Sequence, residues 1–139
     1  RTLAREIALK ILYQVDINRQ GIPASIEDVW HGEERLEPAV VEFSNLLVSG
    51  ISGHLKEIDG LIAEYATNWQ VERMAVIDRN ILRLATFELL FLADIPAKVS
   101  INEAVELAKK YGDLDSSKFV NGVLDKINKT HKKECEKDL

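Results

Sequence analysis

Two arginines carry the first chemical signal in this 139-residue sequence. Arg79 and Arg83 stand four residues apart in the stretch Met74–Ala93, so on a helix their guanidinium groups project from one side, next to Asp78. A second set opens the chain, where Arg1, Arg5, Leu9 and Tyr13 step by four along one helical row. That row reads either as a solvated face with a snorkelling tyrosine or as cations and an aromatic ring aligned for phosphate contact and base stacking. Catalysis would need a nucleophile with its base, converging carboxylates or metal ligands. The sequence spells out none of these. His31 and His54 lack a second ligand at helical or loop spacing, and the single Cys135 supports neither an internal disulfide nor a zinc site. The seven glycines are scattered singly, so no glycine loop cradles a phosphate. The expectation is a binding protein that is not an enzyme and needs no cofactor or metal.

The net charge of −5 is unevenly spread. Between Glu27 and Glu64 nine acids face only Arg35 and Lys56, while Arg1, Arg5 and the lysines after Lys109 make the two ends more basic. Such a chain can present a basic patch to a polyanion on one side and repel it on the other; ordinary surface charge is the competing account. No apolar run reaches the length of a membrane span and no signal-peptide pattern opens the chain. One lone cysteine fits a reducing compartment, so a cytoplasmic protein without membrane contact is expected.

Helices must position these side chains, because apolar residues recur at intervals of three and four and nowhere alternate with period two. Ile77, Ile81, Leu84, Ala85, Leu89 and Leu92 form one stripe of the 74–93 helix. Leu82, Phe87, Leu90 and Phe91 add apolar surface on its other sides, which makes it the central, most buried element. Glu88, an acid amid that run, should satisfy a neighbouring backbone amide or side chain in the core. Before it, helices are expected over 2–19 with Thr2 as N-cap, 25–30, 38–53 with Pro38 in the first turn, and 54–65. Trp69 in the following link reads as a core plug. After the central helix, Pro96 breaks the chain, and Ser100-Ile-Asn-Glu103 reads as a capping box opening a helix to Gly112. A last helix runs from Ser116 or Ser117 to Lys129. The sum is an all-α domain of about seven helices, in two small bundles sharing the central helix. Residues 1–130 form a single domain and 131–139 a polar tail.

Taken together, Ala4-Arg5-Glu6 with Leu12-Tyr13-Gln14, Ile77-Asp78-Arg79 with Ile81-Leu82-Arg83, and Glu88-Leu89-Leu90 resemble the bacterial NusB family of transcription antitermination factors. The C-terminal half is the most specific part. There Ile95-Pro96, the run from Val99 to Gly112 through Ser-Ile-Asn-Glu-Ala-Val-Glu-Leu-Ala-Lys-Lys-Tyr, and Lys118-Phe-Val-Asn-Gly-Val-Leu124 follow in the family's order and spacing. The resemblance covers nearly the whole chain and is least distinctive over residues 20–70.

What the resemblance implies is an all-helical RNA-binding protein, not an enzyme, that pairs with the ribosomal protein NusE on boxA-like single-stranded RNA. Such proteins join the RNA polymerase antitermination complex and suppress premature termination in ribosomal RNA operons. By position, Arg1 and Arg5 would belong to an arginine-rich RNA contact, with Arg79, Arg83, Tyr111, Lys118 and Asn121 on the rest of the RNA face. Tyr13 and Asp78 would border the NusE partner. The N-terminal arginine cluster is sparser than the family often shows, so either the start is missing from this sequence or this member leans more on its partner for RNA affinity. A homodimer covering the RNA face is a further state the resemblance implies. A related helical domain precedes the catalytic domain of some ribosomal RNA cytosine methyltransferases, so an RNA-holding domain of that kind, or a helical adaptor without an RNA role, are the alternative readings.

Overall fold

The computed structural model describes residues 1–18, 36–66 and 70–131. Six α-helices fill them: α1 (Thr2–Asn18), α2 (Pro38–Gly53), α3 (Leu55–Tyr65), α4 (Val76–Phe91), α5 (Ala97–Tyr111) and α6 (Ser116–Thr130), with a 3-10 turn at Val71–Arg73 leading into α4. The helix expected over 25–30, together with His31, Trp69 and Cys135, lies outside the described residues. No strand occurs among the described residues, in line with the missing period-two alternation. No described helix is long and apolar enough to cross a membrane.

The helix α4 carries apolar residues on more than one flank, and it is accordingly packed by all five other helices. Ile81, Leu82, Leu84, Ala85, Phe87 and Leu89 are buried along it. On one side α1 and α2 pack against α4 and each other, on the other α5 and α6 do the same, and α3 touches α4, α6 and α2. This is the shared-helix arrangement that the apolar flanks predict. α4 starts at Val76 instead of Met74, because Met74 closes the 3-10 turn with extended backbone angles.

Pro38 stands in the first turn of α2, where its missing N–H costs nothing. Two other expected caps are overturned. The Arg5 N–H bonds the Arg1 carbonyl, so Thr2 already lies inside α1, and its hydroxyl donates instead to Glu103 Oε1 at 2.9 Å. α5 begins at Ala97, directly after Pro96 at φ −58°, which leaves Ser100 a full turn inside the helix. Its hydroxyl donates to Glu88 Oε1 at 2.9 Å. The Ser-x-x-Glu pattern therefore serves tertiary contacts, since a buried carboxylate needs donors more than an exposed helix start does.

Candidate nucleic-acid interface

Arg79 and Arg83 do share one side of α4, as their spacing requires, but acids hold them both. Asp16, near the end of α1, accepts Arg79 Nε and Nη2 at 2.6 Å each, Asn80 Nδ2 at 2.9 Å and Arg83 Nη1 at 3.1 Å. Arg83 also forms a two-pronged pair with Asp59 of α3, both bonds 2.8 Å. Only 14% and 12% of the two arginine side chains is exposed. The expectation of two free cations for RNA is corrected here: the fork of each guanidinium matches a carboxylate and is filled by one. They tie α1, α3 and α4 together along an open cleft also lined by Leu12, Val15, Ile51 and Leu55.

The N-terminal row is corrected as well. Arg5 and Leu9 are buried, not solvated. Arg5 turns into the core onto Glu88, so it is not the exposed cation that its row suggests, and Glu88 finds the partner its setting demands. Arg1 remains accessible, over the Phe43 ring at 4.8 Å and 3.6 Å from Asp94. Tyr13 is exposed further along α1. Asp78, expected at a partner border, is buried beneath the start of α6, and its Oδ1 meets no donor. Burial and the charge of Asp113 push its pKa up against the hydrogen bond of Ser116.

Further accessible groups lie at the end of α5 and on the first turns of α6. Tyr111 is half-buried and packs against the core. Lys110 Nζ lies 5.3 Å from the centre of the Tyr111 ring and 2.7 Å from Glu6 Oε1 of α1. Gly112 then closes α5 with an ordinary negative φ of −92°. Glycine is needed there for room, since a Cβ would overlap the Ser116 side chain. Asp113 Oδ1 accepts the N–H groups of Asp115 and Ser116 at 3.0 and 3.1 Å, which fixes the turn into α6. Lys118 and Asn121 follow on the exposed side of its first turns. No cluster of three or more metal-ligating side chains occurs among the described residues.

The sequence pattern of the NusB family matches residues 2–129. The chain belongs to the NusB family. It is 50% identical over 127 residues to the transcription antitermination protein NusB of Anaeromyxobacter dehalogenans, covering 91% of this chain and 89% of that one. To the NusB of Myxococcus xanthus it is 46% identical over 130 residues, or 91% and 93% of the two chains. The solved structure of T. maritima NusB superposes with a TM-score of 0.91 at 40% identity, over 99% of this chain and 96% of that one. A structure of the antitermination factors NusB and NusE in complex with dsRNA matches with a TM-score of 0.85 at 32% identity, over 94% and 96% of the chains.

NusB is thus the fold that the resemblance implies, and transcription antitermination the activity of its curated members. Sequence reasoning passed over Asp16, Asp59, Glu6 and Lys110, the four charges that decide which cations stay available. Only Lys110, next to Tyr111, carried a local signal. The acids sit in polar stretches where nothing marks them as partners of residues many turns away.

Proposed function

We propose that this chain acts in transcription antitermination by gripping boxA-type single-stranded RNA jointly with a basic ribosomal protein of the NusE kind. It does so in the cytoplasm, within the RNA polymerase antitermination complex on ribosomal RNA operons, with residues 1–130 as one RNA-binding domain and 131–139 as its tail. The observation that carries this reading is the end of α5, where a core-anchored Tyr111 stands beside Lys110 and is followed by exposed Lys118 and Asn121. A ring fixed at its root can stack on an unpaired base. Lys118 offers a phosphate partner, and Asn121 a donor and acceptor for a base edge or a 2′-hydroxyl. The NusB relative solved with NusE and RNA supports the same pairing of partners.

With a net charge of −5, and with Arg5, Arg79 and Arg83 held by acids, the chain alone releases few counterions and binds RNA weakly. A basic partner supplies the missing cations. Tyr13 borders that partner in this reading, whereas Asp78 acts from inside the fold.

The test titrates a boxA-like RNA, a scrambled single strand and a base-paired duplex, with and without the partner and across salt. The boxA-like strand should bind tightest once the partner is present. Tyr111→Ala should cost about 1 to 3 kcal/mol with an unchanged salt slope, and Lys118→Ala should lessen the log–log slope by about 0.7. Equal affinity for the boxA-like and scrambled strands in the presence of partner overturns the reading.

A further inference from the structure

Polar side chains tie α1 to α5. Thr2 reaches Glu103, Arg5 lies 3.7 Å from the same carboxylate, and Glu6 meets Lys110. Of these, only Arg5 is buried, and the third tie ends on a cation with 59% of its side chain exposed. Its acid is the better fixed partner, since Glu6 is only 16% exposed. Lys109 is occupied differently, 3.5 Å from Glu106 one turn back on α5. Lys110 places its ammonium both on an acid and beside the Tyr111 ring.

We propose that Lys110 is a phosphate-contacting residue of the RNA face, and that Glu6 governs its availability as a built-in competitor for the phosphate. The inference rests on the reading of Tyr111 as a stacking platform. A base stacked on that ring brings its own backbone phosphate within reach of a flexible lysine beside the ring. In the free protein the ammonium is already neutralised at 2.7 Å, and the bond to Glu6 and its charge raise the Lys110 pKa. The lysine therefore stays charged while contributing little free positive potential. RNA must exchange the carboxylate for a phosphate, at the cost of leaving Glu6 facing an anion.

Removing that competitor has a definite signature. Glu6→Gln should tighten single-strand binding roughly two- to fivefold, the range of one exposed ion pair, and steepen the salt slope by about 0.7, one additional phosphate neutralised. Lys110→Ala should weaken single-strand binding and lessen the salt slope, by at most about 0.7, and it should abolish the gain of Glu6→Gln when the two are combined. Thermal melts of each variant, read alongside, should move only slightly, because an exposed pair contributes little to folding. An unchanged slope in Glu6→Gln overturns the proposal. So does an equal gain with Lys110 absent, which would make Glu6 a general repulsive charge. Tyr111→Ala in the same series separates the two levels: if its loss weakens binding while Glu6→Gln does nothing, the RNA face stands and the competitor role falls. If Tyr111→Ala has no effect, the face itself is misplaced and the proposal falls with it.

Discussion

Arg5 and Glu88, 83 residues apart in sequence, meet as a two-pronged ion pair in the core. Arg5 Nε donates to Glu88 Oε2 at 2.9 Å and Nη2 to Oε1 at 2.7 Å, with side-chain exposures of 3% and 1%. Burial alone would lower the arginine pKa. The hydrogen bonds and charge of Glu88, with Glu103 behind, outweigh it and raise it. The pair ties α1 to α4, and through the Ser100 hydroxyl to α5.

Breaking that pair from one side strands a buried charge. Arg5→Ala or Glu88→Ala should therefore lower unfolding free energy by about 3 to 5 kcal/mol, whereas Arg5→Met combined with Glu88→Leu should restore most of it. Urea denaturation of the three variants checks this. A single-variant loss under about 1 kcal/mol would show that the pair is solvated.

The helices themselves were legible in the sequence, and the reason is local. Ile77, Ile81, Ala85 and Leu89 repeat every four residues, with Leu84 and Leu92 each three beyond one of them, and helical periodicity alone makes them one stripe. Charged residues carry no equivalent signal. The spacing of Arg79 and Arg83 says that they share a side of α4, and they do, but the acids waiting there come from Asp16 and Asp59 on other helices. Arg5 shows the same limit, since its row predicts direction and not depth. Ser100 and Glu103 match a capping box in type and spacing, yet their side chains answer to Glu88, Thr2 and Arg5. Local pattern decides which residues are helical, while tertiary partners decide what polar side chains do.

Asp16 should be the acid whose loss most weakens the arginine cluster. Burial raises its pKa, but the bonds from Arg79 and Asn80 and the charges of both arginines dominate and lower it. A depressed carboxyl contributes stability above its unfolded value of about 3.9, and that stability is lost as pH falls through the lower folded value. Asp16→Asn should cost about 1 to 3 kcal/mol at pH 7, with the difference shrinking below pH 4. Arg83→Ala, inexpensive had the residue been exposed, should cost a similar amount because it leaves Asp59 without its partner. Denaturant melts across pH 3 to 7 read both.

Asp78 should behave in the opposite sense. The Ser116 hydroxyl within its reach also lies 3.1 Å from Asp113 Oδ1, so one proton serves two carboxylates. A raised folded pKa gives stability that is complete below the unfolded value of about 3.9 and is lost as pH rises through the folded one. Asp78→Asn removes that penalty and should stabilise the fold by about 0.5 to 2 kcal/mol at pH 7, with no gain near pH 3. Melting at the two pH values checks the sign, and destabilisation at pH 7 would mean that the carboxylate is held as an anion by a donor.

Two helical glycines should respond to alanine with opposite signs. In α2 a Cβ on Gly50 would overlap the Phe87 ring. Phe87 is itself buried, with its ring centre 5.3 Å from that of Phe91, so the ring has little room to retreat. Gly50→Ala should destabilise by about 1 to 3 kcal/mol, the usual cost of overpacking. Gly60 lies inside α3 with no atom within 4 Å of a Cβ built there, so the close backbone approach that would justify a glycine is missing. Gly60→Ala removes unfolded-state freedom and adds helix propensity, and it should stabilise by about 0.5 to 1 kcal/mol. Parallel thermal melts should place the two variants on opposite sides of the parent protein. A stabilised Gly50→Ala would mean that α2 and α4 stand further apart than the Phe87 contact requires.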